Sequence, residues 1–473
     1  MTEYEEFLKR KQREFPPTGF EPPSVVHPKM FDYQDAVTRW SIRRGRSAMF
    51  LGTGLGKSLC SLAWSSHVHR HTRGRVLMLA PLAVATQTSR DEATKWAIDG
   101  VKYLREDDGE TPIVVTNYDM MDHFDAAQFA GVVLGESSIL KHFDAKMCDR
   151  LIGKFYRTVY KLCETATPAP NDYTELGNHA EFLGVCTREE MLATFFCHDG
   201  GTTQDWRLKR HAQKDFWRWV SSWAVMLRKP SDLGYDDTRH ILPPLRMHQH
   251  TVSADGGVAK AAGILFASEA TSLASQREAR RGSLSERVEE AVKIIRAEPD
   301  ETWLVWCDLN GECDAMEKAV RELGISTVQI AGADTIDDKE SRMLAFIDGT
   351  AKCLVTKSTI AGFGVNLQHC ARNVCVGVSH SFERMFQLIR RTWRFGQTRP
   401  VDVHVVVSSA ELSVVENLKR KETDADRMAE AMVAAMAENQ WAAVKGSERQ
   451  TDTYNPTVPM VVPSWCKTEE NEQ

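Results

Sequence analysis

The 473-residue chain predicts an α/β fold of two tandem parallel sheets with a helical, tryptophan- and arginine-rich stretch between them. Short apolar runs recur with helical or polar segments between them, first over residues 47–163 and again over 302–407, the pattern of parallel strands joined by crossover helices. Polar residues with chemical potential follow those runs directly, at the strand ends where parallel sheets hold ligands. From Asp172 to about Leu245 the alternation stops.

In the first block, residues 30–37 lead into a helix ending near Gly45, and Ser47-Ala48-Met49-Phe50 reads as a short buried strand. The run Leu51-Gly52-Thr53-Gly54-Leu55-Gly56-Lys57-Ser58 follows, and residues 59–64 read as a helix. Strand, glycine loop and helix together form the setting of a phosphate-binding loop, although Leu51 stands where the strict pattern has its first glycine. Backbone N–H groups of Thr53, Gly54, Leu55 and Gly56 would surround an anion at the helix N-terminus. Lys57 would reach the β and γ phosphates of ATP, and the Ser58 hydroxyl would ligate Mg²⁺. Upstream, the Gln34 amide can pair with both the donor and the acceptor edge of adenine.

Further strands are expected at 76–80, 113–116, 132–134 and 158–163. Glu136 closes the third of these, where a carboxylate beside a phosphate loop orients a hydrolytic water. In the middle segment, Phe216, Trp219 and Trp223 fall at helical spacing and read mainly as core, whereas the neighbouring arginines and lysines are candidates for phosphate contact. The second block resumes with strands at 302–307, 327–330, 353–356, 374–378 and 401–407, and an Ala/Met/Glu-rich helix runs from 411 to about 444. Residues 461–465 are apolar enough to dock back on a lobe. His67, His69 and His71 lack acidic or thiol companions in sequence and read as exposed helix residues.

Composition bounds these readings. With 42% hydrophobic and 26% charged residues the chain can bury a sizeable core, and no apolar run approaches the roughly 18 residues that span a bilayer. The N-terminus lacks a signal-peptide core, and eleven cysteines without a C-x-x-C pair fit a reduced, cytoplasmic protein. A net charge of −6 restricts any nucleic-acid surface to a local groove.

The segment Gln387-Leu388-Ile389-Arg390-Arg391-Thr392-Trp393-Arg394-Phe395-Gly396-Gln397 closely resembles the last signature of helicase superfamily two in its Swi/Snf-type branch. Gly362-Phe363-Gly364-Val365-Asn366-Leu367 resembles the preceding signature, and Thr165-Ala166-Thr167-Pro168-Ala169-Pro170-Asn171 is similar to the family's S-G-T-P-x-x-N. Compact members with Glu-Ser-Ser in the second signature are similar to those of bacteriophages and prophages. The resemblance implies two RecA-like lobes that close on ATP and Mg²⁺, with Gln387 at the nucleotide and with Thr116, Asn117, Ser358, Gly362 and Asn366 near the nucleic-acid path. It implies a DNA-dependent ATPase moving on duplex DNA in the cytoplasm, a host's if phage-encoded, alongside replication or recombination proteins. Arg391 and Arg394, three apart on a helix, would point together across the cleft as arginine fingers. An RNA-directed helicase and a nucleotide-gated DNA clamp are the alternatives.

Two departures stand out. Gly135 replaces the second signature's Mg²⁺-supporting Asp, and Gly52 stands where many relatives carry Asp. Losing such support costs about 10- to 100-fold, so slow or Mg²⁺-hungry turnover is expected, which Gly135→Asp should raise. The division expected is an N-terminal extension at 1–29, a first lobe at 30–171, an insertion at 172–265, a second lobe at 266–410 and a C-terminal helix and tail at 411–473.

Overall fold

The computed structural model describes residues 16–142, 145–169, 172–198, 206–253, 281–357, 366–377 and 382–445. Two parallel sheets organise them. The first contains β1 (Arg46–Leu51), β2 (Arg75–Ala80), β3 (Val101–Tyr103), β4 (Ile113–Asn117), β5 (Phe129–Gly135), β6 (Tyr160–Glu164) and β9 (Ala224–Leu227). Its order is β3-β4-β2-β5-β6-β1-β9, every neighbour parallel. β7 (Phe196–His198) and β8 (Trp206–Leu208) form a separate antiparallel pair. The second sheet contains β10 (Leu245–Val252), β11 (Trp303–Cys307), β12 (Thr327–Ile330), β13 (Cys353–Lys357), β14 (Arg372–Val376) and β15 (Val401–Ser408), in the order β10-β15-β14-β11-β13-β12. These are the two RecA-like lobes expected from the sequence.

Helices cover both faces of the strands, so most strands are continuous apolar runs, such as the fully buried Trp303–Cys307. β1 is flanked by β6 and β9 and delivers the glycine loop at its carboxyl end. Helix α1 (Asp32–Arg44) and helix α2 (Lys57–Thr72) pack together on this lobe.

The segment expected to be a helical insertion, 172–265, also contributes a strand to each sheet. β9 pairs with β1 as an edge of the first sheet, and β10 pairs with β15 as an edge of the second. Helix α3 (Gln213–Ser221) buries Phe216 and Trp219 and is followed by a fully buried Trp223, which confirms the packing reading of these aromatics. The three histidines of α2 are also more engaged than expected: His67 bonds the Val26 carbonyl at 2.9 Å, His69 bonds that of Gly74 at 2.8 Å, and His71 stacks on Phe20 at 3.8 Å.

Helix α5 (Leu412–Lys445) joins the lobes. Its first turns place Val414, Val415 and Leu418 in the second lobe's core, and further along Met432 and Met436 enter the first lobe's core. Thirty-four residues span about 51 Å at 1.5 Å each, enough to bridge two domains. Residues 461–465 lie outside the described residues.

The β10/β15 edge carries a cluster of histidines. His404 stacks on His248 at 4.6 Å and lies 3.1 Å from His250, while His248 contacts Asp402 at 2.8 Å and His250 lies 3.6 Å from Glu290. Burial, then the neighbouring His248 and His250, push His404 down to about 4, against the opposing pull of Asp402 and Glu298. Between that value and its ordinary 6.5 the unfolded chain binds a proton that the folded chain does not, so stability falls as pH drops through this window. His404→Gln is expected to flatten the melting temperature against pH between about 4 and 6.5, as thermal unfolding would show. An unchanged slope would contradict this assignment.

Candidate nucleotide site between the lobes

The glycine loop occupies residues 52–56, and Lys57 opens α2. Gly54 and Gly56 adopt φ of 89° and 83°, the left-handed region where a side chain is strained. Space is equally restrictive: a Cβ on Gly56 would come within 2.1 Å of Gln34 Nε2, and one on Gly54 within 2.9 Å of Phe395 Cβ. Lys57 Nζ donates to the Leu51 carbonyl at 3.0 Å, arching over the loop, and Ser58 lies in the first turn of α2.

Gln34 is buried, and its amide is committed to the protein. Nε2 donates to the Leu55 carbonyl at 2.9 Å, Oε1 accepts from Phe31 N at 3.0 Å, and Tyr33 Oη donates to the same Leu55 carbonyl at 3.0 Å. The residue expected to read adenine therefore braces the phosphate loop. Rings gather beside it instead: Phe31 and Phe395 meet edge to face at 6.2 Å, with His240 at 5.2 Å from the first and 5.1 Å from the second.

Glu136 follows β5 with φ of 56°, a conformation that costs a non-glycine residue about 1–2 kcal/mol. Its Oε1 accepts from Thr165 Oγ1 at 2.8 Å and from Ser138 Oγ at 3.1 Å, which fixes the plane of the carboxylate. Thr165 also accepts from Thr167 N at 3.1 Å, tying the Thr165-Ala166-Thr167 turn to Glu136.

From the second lobe, helix α4 (Phe382–Thr392) carries the buried Gln387 and Arg391. The helix ends before Arg394, so the two arginines do not share a helical face as expected; the following turn returns Arg394 to the same neighbourhood. Gln397, read from the sequence only as the end of the last signature, holds that turn: its Nε2 donates to the carbonyls of Gln368 at 2.8 Å and Thr392 at 3.2 Å, and its Oε1 accepts from Thr398 N and Arg399 N at 3.0 and 2.9 Å.

Electrostatics link the two lobes. Burial lowers the Lys57 ammonium, Glu136 and Glu164 oppose that shift, and Arg394 and Arg391 from the second lobe deepen it. Arg391 is pushed down to about 10 by burial and then by Arg394, with Glu136 pulling back. Arg394 is lowered chiefly by burial, and its Nε is buried without a hydrogen-bond partner among the described residues. Crowded, desolvated cations are the arrangement that a multiply charged anion relieves. Ion pairs across the lobes join Arg90 to Glu340, while Arg228 reaches Asp426 and Glu430 of α5 at 2.9 Å each.

Sequence reasoning also missed Glu164. It ends β6, is 7% exposed, and burial pushes its carboxyl up to about 7 against the opposing effect of Lys57. An acidic residue closing the run Tyr160-Lys161-Leu162-Cys163 was the available signal.

Of the residues expected near a nucleic-acid path, Thr116, Asn117 and Asn366 lie among the described residues. Thr116 is fully buried, and Asn117 uses its side-chain oxygen to cap Met120 N at 3.1 Å. Asn366 has a buried Oδ1 with no partner among the described residues, and Ser358 and Gly362 lie outside them.

Residues 286–396 match the helicase conserved C-terminal domain. This helicase-type lobe is the one that carries Arg391 and Arg394. Over 95 residues, 20% of the chain, the protein is 27% identical to the pre-mRNA-splicing ATP-dependent RNA helicase prp28 of Aspergillus niger. It is 25% identical over the same length to the proteins of that name from Neosartorya fischeri and Aspergillus fumigatus. The aligned stretch spans 12% of each of these relatives. Together with the paired sheets, the matches support a superfamily-two helicase-like ATPase. No helix among the described residues is long and apolar enough to cross a membrane.

Gly54→Ala tests the loop geometry. A methyl at φ 89°, 2.9 Å from Phe395, should weaken binding of a non-hydrolysable ATP analogue at least about tenfold by calorimetry, because backbone strain and a blocked lobe contact act together. Wild-type affinity in that variant would show that the approach of Phe395 is immaterial.

Proposed function

We propose that the chain is a nucleic-acid-dependent ATPase that couples closure of its two lobes to movement along duplex DNA. The observation that carries this reading is the approach of Phe395 to Gly54, which brings Arg391 and Arg394 into the same charge field as Lys57. The residues present fit a nucleotide: a glycine loop at a helix N-terminus, buried cations from two lobes, and the orphaned Oε2 of Glu164. Bound ATP with Mg²⁺ would supply the phosphoanhydride bond to be cleaved.

The chain's own groups do the remainder. The loop N–H groups and Lys57 hold the phosphates, and Ser58 is placed for the cation. Glu136, its plane set by Thr165 and Ser138, orients the attacking water. Arg391 and Arg394 stabilise charge on the transferred group only when the lobes meet, so turnover reports closure. The Arg394 to Gln397 ending favours duplex DNA by resemblance, and the work fits a cytoplasmic replication or recombination setting. An RNA substrate is the second reading, supported by the similarity to RNA helicases.

Phosphate release measured without polynucleotide and with duplex DNA, single-stranded DNA or RNA tests both readings. Duplex DNA is expected to stimulate most, with an effect that weakens steeply as salt rises. Arg394→Ala should lower kcat by about 10³- to 10⁵-fold while retaining analogue binding. Greater stimulation by RNA would transfer the assignment to the second reading, and tight ATP-dependent DNA binding with no phosphate release would identify a clamp.

A further inference from the structure

We propose that Glu164 supplies the carboxylate that Gly135 lacks, so that the divalent cation accompanying a nucleotide is supported from β6 instead of β5. The proposal rests on the nucleotide reading of the cleft and deepens it.

Register is the first support. Gly135 and Glu164 are paired residues on neighbouring parallel strands, and paired residues point their side chains to the same face of a sheet. Distance is the second. A Cβ built on Gly135 would lie 3.4 Å from Glu164 Oε1, so the glutamate already reaches into the space that an aspartate at 135 would fill. That Cβ would also sit 3.2 Å from Ala80 Cβ and 3.3 Å from the Leu79 carbonyl, so the space beside the Glu164 carboxylate is tight.

Topology adds a third support. β6 lies between β5 and β1, and Glu164 is in register with Met49, three residues before the glycine loop. Moving the acid from β5 to β6 brings it one strand nearer to Ser58. The fourth support is an unmet hydrogen-bonding demand. Glu164 is 7% exposed, yet its Oε2 has no partner among the described residues, and Lys57 donates to the Leu51 carbonyl instead. A buried carboxylate oxygen left open calls for a missing electrophile. Among the described residues no three His, Cys, Asp or Glu side chains gather as a metal cage. Mg²⁺ fits such a place, because it commonly takes one or two carboxylates and completes its shell with phosphates and water.

This geometry reverses the expectation for Gly135→Asp. Alone, the substitution forces a Cβ into close contacts and sets a second carboxylate against the first, so it should lower metal affinity instead of raising turnover.

The test is Mn²⁺ binding, followed by electron paramagnetic resonance, to the full-length protein with a non-hydrolysable ATP analogue. Calorimetry of the analogue without metal runs alongside. Glu164→Gln, which keeps the shape and removes the charge, should weaken Mn²⁺ binding about 10- to 100-fold with metal-free analogue affinity not weakened. Gly135→Asp combined with Glu164→Ala should bring Mn²⁺ affinity back towards wild type. Wild-type Mn²⁺ affinity in Glu164→Gln, or tighter Mn²⁺ binding in Gly135→Asp alone, overturns the proposal. If Glu164→Gln melts below wild type, the double variant decides: recovered Mn²⁺ affinity supports the exchange of carboxylates, and its absence overturns it. A wild-type protein that binds no analogue, with or without metal, overturns the nucleotide reading itself, an outcome distinct from the others.

Discussion

The meeting of Phe395 with Gly54 is the constraint on which the remainder depends. A side chain at residue 54 would collide with the second lobe, so the glycine loop is shaped to admit the turn that follows Arg394. Once the two are that close, three cations from two lobes share one partly desolvated volume, opposed by the carboxylates of Glu136 and Glu164. Such a volume is electrostatically incomplete. A triphosphate would neutralise it, and its departure would leave the cations to repel one another and the lobes free to part.

Much of the surrounding structure holds that meeting in register. Gln34 fixes the loop from below through Leu55, Gln397 pins the turn after α4, and Thr165 links the strand-end turn of β6 to Glu136. Helix α5 contributes to both hydrophobic cores, with Leu418 in one and Met432 in the other. Because it is buried in both cores, relative motion of the lobes would have to bend this helix or detach one part of it.

Legibility from sequence followed the strength of the local pattern. The glycine loop and the apolar strands of both lobes stood out because buried parallel strands are short uninterrupted runs, and the observed bounds lie within a few residues of those expected. β9 and β10 did not. β9 has only four residues and directly follows a tryptophan-rich helix, while β10 is an edge strand interrupted by His248, Gln249 and His250, so neither shows the pattern of a central strand. Site residues divided on similar lines. Glu136, Arg391 and Arg394 all act on the charge of Lys57, whereas Gln34 and Asn117 turn inward to satisfy backbone groups, a choice that local sequence does not reveal. Gly135 looked like a loss because strand neighbours are invisible in one dimension. Only the pairing of β5 with β6 places Glu164 beside it.

The most direct measurement replaces Phe395 with the photoreactive p-benzoylphenylalanine and maps its adducts by mass spectrometry in the presence of a non-hydrolysable ATP analogue. The account predicts a crosslink from position 395 to the phosphate loop around Gly54 or to Phe31, joining the two lobes. Adducts confined to the second lobe, in a protein shown to hold the analogue, would contradict a site built from both.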